Sequence, residues 1–255
     1  MSGHSKWATI KRKKAATDSA RGRLFTRLIK EIAIAAREGG GNIDGNPRLR
    51  LAIQTAKDAN MPADNIKRAI QRGTGELPGV TYEEITYEAF GPGRTAILVE
   101  VVTDNANRTV SELRHTFSRN NGNLGQPGSV AWMFNKKGVI IIPRTGKGKS
   151  LAEDDIMAIV LEPGAEDLQA DEDSFTVTTD PQTFEAVRKA LEDKGIPMET
   201  ARLQMVPQNL VKVSGKEAEQ LLKLMETLEE HDDVQNVNSN FDIEEKELAA
   251  IQNQS

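Results

Sequence analysis

The apolar periodicity of this chain changes from helical to strand-like between Gly73 and Gly79, and its charge changes sign at the same place. Separate domains accommodate both shifts, because a helical stripe and an alternating strand bury their apolar faces against different partners. Up to Arg72 the chain holds 16 Lys and Arg against 6 Asp and Glu, a charge of +10, whereas the remainder holds 17 against 32, a charge of −15. The overall charge of −5 therefore hides a basic first domain on an acidic body. Nucleic-acid binding depends on local potential of this kind rather than on net charge.

Before the switch, Leu24, Phe25, Leu28, Ile29 and Ile32 recur every three or four residues and predict a helix over 24–38, ended by Gly39-Gly40-Gly41. Arg23, Arg27, Lys30 and Arg37 follow another stripe, so that one face packs while another presents positive charge. A second helix is expected after Pro47, with Leu49, Ala52, Ile53 and Ala56 inward. A third starts at Pro62, with Ile66, Ala69 and Ile70 inward and Gly73 as a left-handed stop. Gly75 and Pro78 mark the linker that follows.

After the switch come a strand at 85–90, a Gly91-Pro92-Gly93 turn, a strand at 96–102 and a helix capped by Asp104 or Asn105 with Val110, Leu113 and Phe117 inward. Residues 131–206 read as strand (132–142), helix (151–161), two strands (near Glu166 and at 175–179), helix (184–193) and strand (201–206), a split β-α-β unit. A strand at 210–213, a helix at 221–228 and a strand at 234–238 supply the missing half of the interrupted domain. The expected fold is α+β: an N-terminal three-helix bundle plus two ferredoxin-like (split β-α-β) domains, one inserted into the other. The boundaries are 1–78 for the basic helical domain, 79–130 with 207–243 for the discontinuous domain, 131–206 for the insert, and 244–255 as a frayed tail. At 255 residues the chain is long enough for two or three cores.

The densest motif is Lys6-Trp7 followed by Lys11-Arg12-Lys13-Lys14, with Arg21, Arg23, Arg27 and Lys30 beyond it and Asp18 as the single acidic interruption up to Lys30. Cations at this density neutralise several phosphates of a nucleic-acid backbone. A solvated helix face is the plainer account of such a run. Stacking on a base or ribose and burial against the bundle are equally open to Trp7. In Asp104-Asn105-Ala106-Asn107-Arg108-Thr109, short polar side chains suit a helix cap, while Arg108 at the helix start suits a phosphate grip.

Several chemistries have no support. The chain has no cysteine, which removes disulfides, thiolate metal sites and cysteine nucleophiles. His4, His115 and His231 lie in separate segments without metal-ligand spacing, and no cofactor or metal is expected. Gly148-Lys149-Ser150 follows a strand, but Pro143 stands where a phosphate-binding loop needs its first glycine, so 146–149 read as a flexible connection. Glu153-Asp154-Asp155 and Asp171-Glu172-Asp173 lack calcium-loop spacing, and no G-x-S-x-G elbow is present. There is no apolar run of membrane-spanning length and no signal-peptide pattern at the start, so a cytoplasmic protein without a membrane partner is expected.

Five stretches resemble, in order, the YebC/PmpR family of transcriptional regulators and the related mitochondrial translational activators of cytochrome oxidase. They are Ser2-Gly3-His4-Ser5-Lys6-Trp7; Asn60-Met61-Pro62 with Asn65-Ile66; Tyr87-Glu88 with Gly91-Pro92-Gly93; Asp104-Asn105 with Asn107-Arg108-Thr109; and Gly128-Ser129-Val130 with Trp132 and Phe134. The resemblance covers residues 1 to about 243. It implies a helical first domain, two α+β domains around a cleft, a cytoplasmic location and no catalytic chemistry. Family members are labelled as DNA-binding regulators, and others look like ribosome-associated factors that help translation through proline-rich stretches. The partner expected on this reading is DNA, with ribosomal or transfer RNA, and the ribosome itself, as the alternative. The residues expected to contact it are Lys6, Trp7, Lys11, Arg12, Lys13, Lys14, Arg21, Arg23, Arg27, Lys30 and Arg108.

Overall fold

Three helices open the structure, a computed structural model that describes residues 18–146, 149–171 and 173–252. They are α1 (Asp18–Gly39), α2 (Pro47–Asp58) and α3 (Ala63–Gly73). Leu28, Ile32, Ala35 and Ala36 of α1 meet Leu49, Ala52, Ile53 and Ala56 of α2 and Ile66 and Ala69 of α3 in one core. Leu24, expected inward, is exposed at the start of this face. Asn46 fixes the α1–α2 corner. Its side-chain oxygen accepts from Leu49 N at 3.0 Å, while its amide donates to Ala35 O at 2.7 Å and Gly40 O at 2.9 Å. A buried amide thus caps one helix and satisfies carbonyls near the end of another.

Gly73 differs from the expectation. It lies within α3, and the left-handed residue is Gly75, at φ +82°. A Cβ on Gly73 would sit 2.3 Å from Ala33 O and 2.8 Å from Ala36 Cβ, so the glycine is there to let α3 approach α1.

The second domain holds β1 (Glu83–Phe90), β2 (Ala96–Thr103), α4 (Ala106–Arg119) and β3 (Asn123–Leu124). The chain then leaves for an inserted domain of β4 (Phe134–Pro143), a short antiparallel pair β5 (Thr145–Gly146) and β6 (Lys149–Ser150), α5 (Glu153–Val160), β7 (Ala165–Ala170), β8 (Ser174–Thr179), α6 (Phe184–Asp193) and β9 (Thr200–Pro207). It returns through β10 (Val211–Lys212), α7 (Gly215–Glu230), β11 (Val234–Ser239), β12 (Phe241–Asp242) and α8 (Glu245–Gln252).

Both four-stranded sheets are antiparallel, ordered β11-β2-β1-β3 and β7-β8-β4-β9. The insert follows a continuous β-α-β-β-α-β path. In the enclosing sheet the chain enters on the inner strand β1 and turns directly into β2. Ile97, Val99 and Val101 on one face of β2 pack with Leu113 and Phe117 of α4 and Leu221, Leu224 and Met225 of α7. Ala96 and Leu98 on the other face meet Val130, Phe134 and Met205, which joins the enclosing domain to the insert.

Three departures from the expected elements have local causes. The strand predicted from Trp132 begins at Phe134, because residues 131–133 form a 3-10 turn. The connection expected at 146–149 pairs as β5 and β6 on either side of residues outside the described set. The segment from 244, expected as a frayed tail, forms α8, with Leu248 fully buried and Ile251 packed against the enclosing core.

Gly73→Ala is expected to destabilise the chain by about 1–3 kcal/mol, since backbone must move to admit the methyl group. Gly75→Ala tests the separate cost of its left-handed φ. Thermal unfolding of both variants checks this, and an unchanged midpoint for Gly73→Ala would contradict the close-approach role.

Candidate nucleic-acid interface

The cations of α1 are divided between the surface and the protein. Lys6, Trp7, Lys11, Arg12, Lys13 and Lys14 lie outside the described residues. Arg21 is exposed, with its guanidinium 5.4 Å from the centre of the Phe25 ring. Arg23 approaches Glu230 at 3.6 Å. The Arg27 guanidinium donates to the Glu229 carbonyl, and burial foremost lowers its pKa. Lys30 is buried. Arg23, Arg27 and Lys30 of the basic stripe therefore turn toward the C-terminal end of α7, where acidic side chains and carbonyls attract cations, whereas Arg37 is exposed and donates to Tyr82 O at 2.5 Å.

Lys30 ends in a complete set of acceptors. Its three ammonium hydrogens serve Val102 O at 3.1 Å, Asp232 O at 3.0 Å and Asp233 Oδ1 at 2.8 Å. The other oxygen of Asp233 accepts from Arg108 at 2.7 Å, Thr109 Oγ1 at 2.7 Å and Thr103 Oγ1 at 3.1 Å. Burial pushes the Asp233 carboxyl up, but hydrogen bonds from Lys30, Arg108 and Thr109 outweigh it and hold the group well below the usual carboxylate range. Asn105 caps α4 by accepting from Arg108 N at 3.0 Å, so the cap expected near Asp104 and Asn105 belongs to Asn105. The Arg108 side chain, the candidate phosphate grip, is held by Asp233 and by Asp104 at 3.0 Å. Its pKa is raised, first by the hydrogen bond to Asp233.

This cluster lines a crevice of about 530 Å³ with Tyr82, Glu112 and His231. Glu112, His231 and Asp233 place ligand atoms within 4.8 Å of one another. The His231 Nδ1 lone pair is already engaged. Asp233 N donates to His231 Nδ1 at 3.1 Å, which leaves the proton of the neutral ring on Nε2, 2.9 Å from Glu112. Lys30 and Arg108 already supply positive charge at Asp233. The arrangement suits an internal ion-pair cluster better than a metal.

Among the described residues, outward charge also comes from residues outside the dense N-terminal run. Lys57 of α2 and Lys67, Arg68 and Arg72 of α3 are exposed. Among the described residues, the side chains of Lys57, Lys67 and Arg68 have no hydrogen-bonding or ion-pair partner. Ile66 and Ala69 hold the inner face of α3, which leaves Lys67, Arg68 and Arg72 on its outer side. Their helical spacing is the signal in the sequence that could have found them. Arg48 behaves differently. It bridges Glu31, Glu38 and Glu84, and its pKa is raised chiefly by the hydrogen bond to Glu84.

Comparisons with known proteins cover nearly the whole chain. Residues 5–76 match the model of the TACO1/YebC protein N-terminal domain, and residues 82–241 match that of the TACO1/YebC second and third domain. A "Probable transcriptional regulatory protein" from Solibacter usitatus is 59% identical over 251 residues, spanning 98% of this chain and 99% of the relative. One of the same description from Chlorobaculum tepidum is 56% identical over 253 residues, covering 99% of each. The crystal structure of a conserved hypothetical protein from Aquifex aeolicus is similar with a TM-score of 0.81 and 44% identity, over 89% of this chain and 93% of that one.

Lys30→Met is expected to cost roughly 3–5 kcal/mol, because it leaves a buried carboxylate short of a counter-charge. Adding Asp233→Asn should recover part of that loss in a double-mutant cycle. The Asp233 carboxyl titrates lower in the folded chain than in the unfolded one, where its ordinary value is about 3.9. The unfolded chain thus binds more protons between the two values. The stabilisation is complete above about pH 5 and is lost as pH falls below ~4. Thermal unfolding against pH should show the gap between wild type and Asp233→Asn narrowing on acidification, and a gap independent of pH would contradict this role.

Proposed function

The chain belongs to the TACO1/YebC family, and from that premise we propose that it is a cytoplasmic, non-enzymatic regulator of gene expression that grips DNA through its basic first domain. The observation that carries this reading is the division of charge. Residues 1–72 carry +10 while the remainder carries −15. Part of the positive charge is held internally by Asp233, Glu229 and Glu230. Arg21, Lys57, Lys67, Arg68 and Arg72 remain exposed, and the sequence before α1 adds Lys6, Lys11, Arg12, Lys13 and Lys14. A concentrated positive surface attracts phosphate and releases condensed counterions, while an acidic body repels nonspecific contact.

On this reading the first domain, residues 1–78, supplies the grip. The discontinuous domain at 79–130 and 207–243 holds the first domain in place through Asp233, and the insert at 131–206 extends the surface. The names of the Solibacter and Chlorobaculum relatives support a role in transcription. Backbone contacts of this kind position a protein without reading sequence, so target choice must come from further contacts. Among the described residues no helix is long and apolar enough to cross a membrane, which is consistent with a site of action away from the bilayer.

The test is the salt dependence of binding to duplex DNA, measured for the full chain and for a variant with Lys11, Arg12, Lys13 and Lys14 changed together to Ala. Each DNA phosphate that a removed cation would have neutralised lowers the slope of log affinity against log salt by about 0.9, so the slope should fall by up to about 3.6 in the variant. A second variant, with Lys67, Arg68 and Arg72 changed to Ala, should also weaken binding. Unchanged affinity and slope in both would overturn the reading.

A further inference from the structure

A second region departs from the acidic character of the body. Residues 113–152 contain no Asp or Glu and 7 Lys and Arg, although the chain beyond Arg72 holds 32 acidic residues. Within this stretch lies the loop from Gly125 to Met133, which joins β3 to β4. Among the described residues its carboxylate partner comes from outside the stretch. Glu88 of β1 accepts from the backbone N–H groups of Gly128 at 2.5 Å, Val130 at 2.6 Å and Ala131 at 2.8 Å. Burial opposes its ionisation, but these backbone hydrogen bonds hold its pKa below the ordinary value.

The loop is braced from its other sides as well. Gly125 N donates to Glu88 O at 2.7 Å, and Val130 and Phe134 are anchored in the core between the two α+β domains. Gln208 donates from its backbone to Met133 O at 2.8 Å and from its side chain to Trp132 O at 3.0 Å. On this fixed backbone Trp132 has 64% of its surface exposed. Its indole N–H is already satisfied by Ser129 O at 3.2 Å, so a partner meets an aromatic face that requires no acceptor. Burying such a ring is worth several kcal/mol in a typical core, and a rigid loop that keeps it in water presents it to a flat partner.

The surroundings indicate which partner. The exposed residues Gln126, Pro127, Gly128, Asn135 and Lys136 that flank the ring in sequence carry no carboxylate, while the next cation, Lys137, is paired with Glu166 at 2.7 Å. Among the described residues the Lys136 side chain has no hydrogen-bonding or ion-pair partner. A protein-docking centre would place the ring within an apolar patch, whereas aromatic faces beside unneutralised cations are how single strands are held. We propose that this loop is a second nucleic-acid contact, in which Trp132 stacks on an unpaired base of the molecule whose backbone the first domain grips. The inference rests on the nucleic-acid reading above. It adds a preference for opened or single-stranded regions, with Glu88 as the positioning residue.

The test uses the full chain carrying Trp7→Phe, which leaves Trp132 as the sole tryptophan of the two in the sequence. A thymidine oligonucleotide, a uridine oligonucleotide and a random duplex are titrated while emission is followed. The single strands should quench Trp132, and the stronger quencher of the two identifies the sugar preferred. With binding read from the anisotropy of a dye-labelled oligonucleotide, adding Trp132→Ala should weaken single-strand binding roughly 5- to 150-fold and leave duplex affinity unchanged, while Trp132→Phe retains most of the binding. The ring is exposed, so melting curves of these variants should coincide. Adding Glu88→Gln should lower both the emission anisotropy of Trp132 and the single-strand affinity. Absence of quenching together with equal single-strand affinity for the Ala variant would overturn the proposal, as would equal quenching by the duplex. If the Lys11–Lys14 variant still loses binding in that case, the first-domain grip stands and stacking alone fails. If it too binds normally, both readings fail.

Discussion

The ion pair of Lys30 with Asp233 is the interaction on which the placement of the basic domain depends. It joins side chains 203 positions apart in sequence, and both are almost wholly buried. Removing two charges from water costs several kcal/mol per ion unless the remaining donors and lone pairs are met. Here they are met: all three Lys30 hydrogens find oxygen, and the Asp233 carboxylate accepts from four groups on three different elements. A contact this dependent on geometry specifies one docking of α1 on the end of α7. An apolar patch of equal area would hold the domains together with less orientational preference.

That docking also sorts the cations of the first domain. Arg23, Arg27 and Lys30 meet the acidic and carbonyl-rich end of α7, and Arg48 gathers Glu31, Glu38 and Glu84. The positive charge of the domain is thus partly structural. Among the described residues, what reaches solvent includes Arg21, Arg37, Arg50, Lys57 and the outer face of α3, and the sequence that precedes α1 adds further lysines. The acidic remainder has its own exception in the carboxylate-free stretch around Trp132. Charge in this protein is therefore arranged by region, with internal pairs at the domain joint and unneutralised cations in two separate places.

Much of the architecture is legible in the sequence because long amphipathic segments carry their own period. The helix expected at 184–193 has those bounds, and the long strands at 85–90 and 96–102 need only one to two residues more at an end. The two-residue strands β3, β10 and β12 cannot declare a period, and of these only β10 falls within a predicted strand. Leu248 and Ile251 sit three apart, a helical signal too short to outweigh the polar residues around it, so α8 stays hidden in an apparent tail. The site is less legible. Lys30 looks like one more cation on an exposed stripe, because nothing near it in sequence names Asp233 as its partner. Arg108 fits a cap region or a phosphate grip by sequence; Asn105 makes the cap, and two carboxylates hold the arginine. Trp132 falls at the start of a predicted strand, where alternation hides the 3-10 turn that exposes it.

The central claim is that the basic first domain is the surface that meets nucleic acid. Hydrogen exchange of the full chain, with and without saturating DNA, tests it most directly because protection is read segment by segment. The account predicts new protection concentrated in residues 1–72, including the outer face of α3, with the α1–α7 joint already slow to exchange before DNA is added. Protection confined to the acidic remainder, with the first domain unchanged, would contradict it.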